Sequence, residues 1–151
     1  MALYGGDDIF TASLDQDLDD AIQGLGGNDT FVGYGDDVYA DKFFGGAGND
    51  EARFRSNQSD YEITYNDAIY DFRTSANAAG FTVTDTTADR DGVDHFTDVE
   101  YLRFADSFVA VNFDSMNGTV SVSAAGYSET GTSTADALSG FSGSDTLRGA
   151  A

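Results

Sequence analysis

Apolar residues recur along this chain in two rhythms. From about residue 60 to residue 123 they alternate with polar ones, the period-two signature of strands with one buried face. "DYEITY" (60–65) sets Tyr61, Ile63 and Tyr65 on one face, and "GFTVTDT" (80–86) does the same with Phe81 and Val83. In "YLRFAD" (101–106), Leu102 and Phe104 face one way, Tyr101 and Arg103 the other. "FVAVNF" (108–113) reads as a further strand, and Asn117-Gly118 within "MNGTVSVS" (116–123) is a strong hairpin signal. Together these segments predict a compact, β-sandwich-like antiparallel module over residues 54–128, of about six strands. "NDAIYDFRTSANA" (66–78) fits either an extra hairpin arm or an ordered loop.

Residues 1–53 follow the other rhythm, in which Gly-rich turns alternate with short apolar triplets. "GLGGNDTFV" (24–32) and "GGAGNDEAR" (45–53) both fit G-G-x-G-x-D-x-U-x, with U a large apolar residue. The fit is imperfect: Leu25 replaces the second glycine and Ala52 is a small U. Weaker copies surround them: "GGDDIF" (5–10) with Asp8, "DQDLDDAIQ" (15–23) with Asp20, and "GYGDDVY" (33–39) with Gly35 and Asp37. Near the far end, "TSTADALS" (132–139) and "GFSGSDTLR" (140–148) place Asp136 and Asp145 nine residues apart. The glycine half of each unit makes a turn, and the x-U-x half makes a short strand with one residue inward. Each unit carries the chain to the opposite side, so loops on one side come from alternate units. Asp8, Asp29 and Asp50 are 21 residues apart, with Asp20 and Asp37 between them. This predicts two aspartate ladders on opposite sides, with room for an ion between neighbouring loops.

Charge sharpens the reading. The chain carries 27 acidic and 7 basic residues, a formal net charge of −20. Such a chain repels nucleic acid and anionic membranes, so neither is expected as a partner. Residues 1–50 hold eleven Asp, no Glu and a single base, Lys42. Short acids beside Gly and Asn point to tight loops rather than to a mixed solubilising surface. No cysteine is present, which excludes thiolate metal sites, and with one histidine a zinc site is not expected. Nothing approaches a membrane-spanning run, and "MALYGGDDIF" lacks the pattern of a Sec-type signal. Carboxylates and loop carbonyls are hard oxygen donors, and six to eight of them suit Ca²⁺ better than Mg²⁺. The candidate ligands are therefore Asp8, Asp20, Asp29, Asp37, Asp50, Asp136 and Asp145, with loop glycines Gly24, Gly27, Gly35, Gly45 and Gly48. A separate candidate is "DRDGVDHFTD" (89–98), where Asp89, Asp91 and Asp94 gather around Gly92. Its alternative is a solvated turn with Asp98 as a cap. "DQDLDD" is no EF-hand, since its loop lacks the central glycine and the glutamate at position twelve.

These units resemble the nonapeptide repeat of the RTX (haemolysin-type calcium-binding repeat) family. The order D-Y-x-I, x-V-T-D, D-G-x-D, V-E-x-L-x-F-A-D in residues 60–106 is similar to a β module often found beside such repeats. The resemblance implies an all-β fold: a parallel β-roll over residues 1–53, the antiparallel module over 54–128, and a second, truncated repeat block over 129–151. It implies several Ca²⁺ ions, folding on calcium outside the cell, and type I secretion. No type I signal tail is evident after "TLRGAA", so the chain is expected to be a fragment of a larger secreted protein. Terminal repeats suggest self-association, because two isolated repeats bury too little core.

No catalytic constellation stands out. His95 is the sole histidine, and no G-x-S-x-G elbow occurs. The chain is therefore expected not to be an enzyme. Two alternatives stay open: a Ca²⁺-dependent adhesin or carbohydrate-binding module with a glycan or cell-surface ligand, and part of a polysaccharide-acting enzyme. Tyr34, Phe43 and Phe44, between repeat loops, are the aromatics that could stack on a sugar or else pack inward.

Overall fold

The structure is a computed structural model and describes residues 5–11, 21–32, 40–88, 90–126, 128–130, 141 and 144–148. Among these, thirteen strands form. They are β1 (Ile9–Thr11), β2 (Ala21–Gly26), β3 (Thr30–Val32), β4 (Asp41–Ala47), β5 (Glu51–Arg53), β6 (Tyr61–Asp71), β7 (Ala76–Asp85), β8 (Val93–Thr97), β9 (Tyr101–Arg103), β10 (Phe108–Asp114), β11 (Thr119–Ala124), β12 (Ser128–Thr130) and β13 (Thr146–Arg148). The fold is all-β. No helix among the described residues is long and apolar enough to cross a membrane.

Alternate strands of the first part feed opposite sheets. Apart from a separate parallel pair, β12 and β13, one sheet has the order β1-β3-β5-β9-β10-β11, and the other β2-β4-β8-β7-β6. Ile9, Thr30 and Glu51 lie in parallel register, as do Ala21 and Lys42. The period of 21 residues seen in the aspartates is thus the length of one full coil of chain. Neither sheet closes on itself, and both are mixed rather than purely parallel.

Residues after β5 leave the stack and then return to it. The hairpin β6–β7 is antiparallel, with a register shift between Asn66 and Ile69. It includes residues 66–78, so the hairpin-arm reading of that segment is the correct one. The chain then re-enters alongside the repeats: β8 pairs in parallel with β4, and β9 in parallel with β5. Pairing within residues 61–124 is antiparallel, as the alternation requires, and six strands occur there. The two parallel seams carry both sheets across the boundary expected at residue 53.

Inward residues at register-matched positions make one aromatic core. Phe31 stacks between Phe10 and Phe43, Phe43 lies on Phe96, and Phe96 lies on Phe81. Phe54 and Phe104 stack at 5.1 Å. Each such pair adds about 0.5–1.5 kcal/mol beyond its area burial. Ala52, the small U residue, sits fully buried between Phe31 and Leu102 in neighbouring strands.

Of the two readings open for the loop aromatics, inward packing holds for Phe43 and Phe44, both 0% exposed and without a face for a sugar. Phe43 belongs to the core, while Phe44, on the opposite face of β4, is covered by the tip of the hairpin arm. There the Phe72 ring meets it edge-on at 5.9 Å and the Arg73 guanidinium lies 4.5 Å from its centroid. Tyr34 lies outside the described residues.

Candidate cation site in the stacked loops

The loops between β2 and β3 and between β4 and β5 are the two best repeat units, stacked one coil apart. Their aspartates form a ladder through the main chain. The Asp8 N–H donates to Asp29 Oδ1 at 2.9 Å, and the Asp29 N–H donates to Asp50 Oδ1 at 2.8 Å. A second ladder runs beside it: the Asn28 N–H donates to Asp7 Oδ1 at 2.7 Å, and the Asn49 N–H to Asn28 Oδ1 at 2.9 Å. The sequence pattern thus has a local cause. The sixth-position acid must be short enough to lie along the stack and accept one backbone donor from the coil before it.

The other carboxylate oxygen has a different fate. Asp29 Oδ2 and Asp50 Oδ2 are buried and have no hydrogen-bond partner among the described residues, in residues 1% and 0% exposed. Each folds back over the first glycine of its own loop. A methyl added at Gly24 would overlap Asp29 Oδ2 and the Gly45 carbonyl oxygen. One added at Gly45 would overlap Asp50 Oδ2 and the Asp98 carbonyl oxygen. The spacing from first glycine to sixth-position aspartate therefore reflects direct contact. In each case a carboxylate oxygen and a carbonyl oxygen crowd the same glycine, and no cationic side chain among the described residues is a cause of the carboxyl's shift.

Electrostatics follow from that crowding. Burial, opposed by the Asp29 N–H, raises the Asp50 carboxyl to about 6, and the charges of Glu100, Asp29 and Asp98 add to it. Burial also raises Asp29, against the hydrogen bond from the Asp8 N–H and with the charges of Asp8 and Asp7 adding. A buried carboxylate without a partner is costly. Two hard oxygens per loop fit a hard cation. Among the described residues no three Asp, Glu, His or Cys side chains converge on one point, so main-chain carbonyls would have to complete any ion's shell.

The remaining candidates are distributed as follows. Asp8 lies at the open end of the ladder, half-buried. Gly27 donates to the Ala47 carbonyl at 3.0 Å, tying its loop to the next coil, and Gly48 adopts a φ of 151°. Asp91 does not join Asp94. It is buried and accepts from the Arg55 guanidinium at 2.5 Å and from the Tyr61 hydroxyl. Asp94 is buried on β8, in register with Asp41 and Val83. The Asp91 carboxylate, expected as a cation ligand, is thus committed to an arginine and a tyrosine. Asp145 is half-buried just before β13. Asp20, Gly35, Asp37, Asp89 and Asp136 lie outside the described residues. His95 Nδ1 sits 2.8 Å from Thr82 Oγ1.

Sequence reasoning missed Glu100. Its Oε2 accepts the Asp50 N–H at 2.8 Å, the place a next aspartate would take. Register makes the equivalence plain, since Glu51 pairs with Tyr101 and Arg53 with Arg103. The signal was present: "DEARF" (50–54) and "EYLRF" (100–104) share an acid, an apolar third residue and Arg-Phe. A 50-residue separation hid it. No protein-family model matches this chain, and no curated protein matches it.

Proposed function

We propose that this chain is a calcium-binding structural module of a secreted repeat protein, whose stacked Gly-Asp loops fold as the ion binds outside the cell. The observation that carries the reading is the pair of buried, unpartnered oxygens, Asp29 Oδ2 and Asp50 Oδ2, each crowded against a carbonyl of the next coil. Bound Ca²⁺ supplies the positive charge those oxygens lack and accepts carboxylate and carbonyl donors alike. The chain's own residues do the rest. Gly24 and Gly45 leave room for the carboxylates, and the Asp8 and Asp29 N–H groups fix their orientation. The aromatic core beneath holds the coils in register. Supporting a β-roll of repeats is the 21-residue parallel register of Ile9, Thr30 and Glu51. The resemblance of "GLGGNDTFV" and "GGAGNDEAR" to RTX repeats agrees with it.

In this reading ion binding energy becomes folding energy. Extracellular modules bind Ca²⁺ at about 10⁻⁴–10⁻³ M, which leaves such a chain unfolded where calcium is scarce. The test is far-UV circular dichroism of EDTA-stripped protein during calcium titration, with Mg²⁺ as control and the double variant Asp29→Asn, Asp50→Asn alongside. The expected result is a gain of β signal near millimolar Ca²⁺, absent with Mg²⁺ and absent in the double variant. Full structure in EDTA with an unmoved melting temperature would overturn it.

A further inference from the structure

The turn between β8 and β9, residues 98–100, has no repeat pattern, yet it occupies the next position in the loop stack. β8 continues β4 and β9 continues β5, so Asp98-Val99-Glu100 spans the gap that Gly45 to Asp50 spans one coil earlier. Three residues take the place of six. The turn's backbone stays on the stack, with the Tyr101 N–H donating to the Asp50 carbonyl at 2.9 Å, and Glu100, longer than Asp by one methylene, accepts the Asp50 N–H. Asp98 holds a φ of 54°, the left-handed conformation that lets so short a turn close.

The donor set repeats as well. In the loop stack, Asp29 Oδ2 shares the space over Gly24 with the Gly45 carbonyl. At the last rung, Asp50 Oδ2 shares the space over Gly45 with the Asp98 carbonyl. Asp50 Oδ2 is unpartnered in a residue 0% exposed. A cavity of about 220 Å³, lined by Gly80, Phe81, Asp98, Glu100 and Phe113 among others, opens beside the turn.

We infer that the 98–100 turn completes the last rung of the ladder: the Glu100 carboxylate joins Asp50 Oδ2 and the Asp98 carbonyl around the Ca²⁺ proposed there, a ligand that no repeat pattern marks. This rests on the calcium reading of the loops. It makes the last ion a clasp between the repeats and the β6–β7 excursion, so calcium orders both parts together.

The experiment is calcium titration by isothermal calorimetry of the full chain and of Glu100→Gln and Glu62→Gln. Glu100→Gln keeps an acceptor for the Asp50 N–H but removes the charge, while Glu62→Gln removes the same charge from an exposed position on β6. The expected result is that Glu100→Gln loses one bound ion or binds it at least tenfold more weakly, and that Glu62→Gln titrates as the parent does. A parent that binds Ca²⁺ and a Glu100→Gln variant that binds the same number equally well overturns the inference and leaves the loop reading standing. A parent that binds no Ca²⁺ overturns both. A second measurement needs no variant: trace Gd³⁺ added to the calcium-loaded protein should broaden the amide signals of residues 98–100 together with those of residues 45–50. Unbroadened signals at 98–100 would also overturn it.

Discussion

Five buried carboxylates of this molecule fall into two kinds. In the β6–β8 region three of them have a guanidinium. Asp71 accepts two hydrogen bonds from Arg73, Asp85 accepts two from Arg90, and Asp91 is bonded to Arg55. The Arg73 hydrogen bond, against the opposing effect of burial, pulls Asp71 below the usual carboxylate range. At Asp85 burial pushes up, but Arg90 and the Thr87 and Asp91 N–H groups outweigh it and lower the pKa. In the stacked loops Asp29 and Asp50 are as deeply buried, yet each has a single backbone donor and a bare second oxygen, and both shift upward. On the calcium reading proposed above, the charge missing from the loop acids comes from outside. The following outcomes break or sharpen the contrast.

The largest effect falls on the loop side. Gly45→Ala would drive a methyl into both Asp50 Oδ2 and the Asp98 carbonyl. Neither can retreat, since one is pinned in the ladder and the other is main chain. The expected cost is about 3 kcal/mol or more, the severe end of overpacking. Urea denaturation in saturating Ca²⁺ measures it, together with loss of the calcium response. A near-neutral result would mean that the carboxylate does not lie on the glycine.

Titration separates the two kinds of acid directly. With Asp50 at about 6 in the folded state and 3.8 as its ordinary value, the folded chain holds that proton more tightly than the unfolded chain. Metal-free protein should therefore be most stable toward pH 4 and lose stability as pH rises through about 6, by on the order of 2–3 kcal/mol. Asp29 acts in the same direction. Asp71 and Asp85 act oppositely: their contribution is present above 3.8 and is lost as pH falls through their lowered values. Calcium should reverse the slope between about pH 4 and 6, because protons then compete with the ion. Far-UV circular dichroism across that range, in EDTA and in Ca²⁺, reads both trends, the EDTA sample gaining β signal only toward pH 4. An EDTA profile that stays flat from acid to neutral pH would remove the distinction.

On the arginine side, Arg73→Ala strands Asp71, which is 3% exposed, and uncovers Phe44. Arg73 keeps some solvent access, so the expected loss is about 2 kcal/mol rather than the full value of a buried pair. The calcium midpoint should not move once stability is accounted for. A calcium affinity that falls in step would show that the two sets of acids are coupled.

Much of this was legible in the chain. Alternation pointed to β6 through β11, because half-buried strands must alternate, and the 21-residue spacing of Asp8, Asp29 and Asp50 matches the register step between the parallel strands β1, β3 and β5. What escaped notice depended on contacts between distant segments. For Phe44, sugar platform and packing residue both stayed open because the arm that covers it lies about thirty residues later, at Phe72 and Arg73. Asp91 looked like a ligand because Arg55 and Tyr61, its partners, precede it by 36 and 30 residues. Glu100 was hidden because the β6–β7 excursion stretches the ladder step from 21 residues to 50. Local pattern reports which residues share a strand face. It does not report which arginine returns to meet which aspartate.

The smallest effect tests whether glycine matters in the loops for a reason particular to them. Gly118 also has a left-handed backbone, with φ of 63°, in the turn between β10 and β11. An added methyl there would meet only the Tyr65 ring at 3.6 Å, an ordinary contact. Gly118→Ala should therefore cost only the conformational penalty, about 1 kcal/mol, and leave calcium binding untouched. The loss at Gly45 should exceed it severalfold although both are turn glycines, because only Gly45 carries a buried carboxylate against its Cα. Equal losses at the two positions, measured under the same calcium, would reduce the loop glycines to turn formers. The contrast between self-paired and open acids would then lose its steric half.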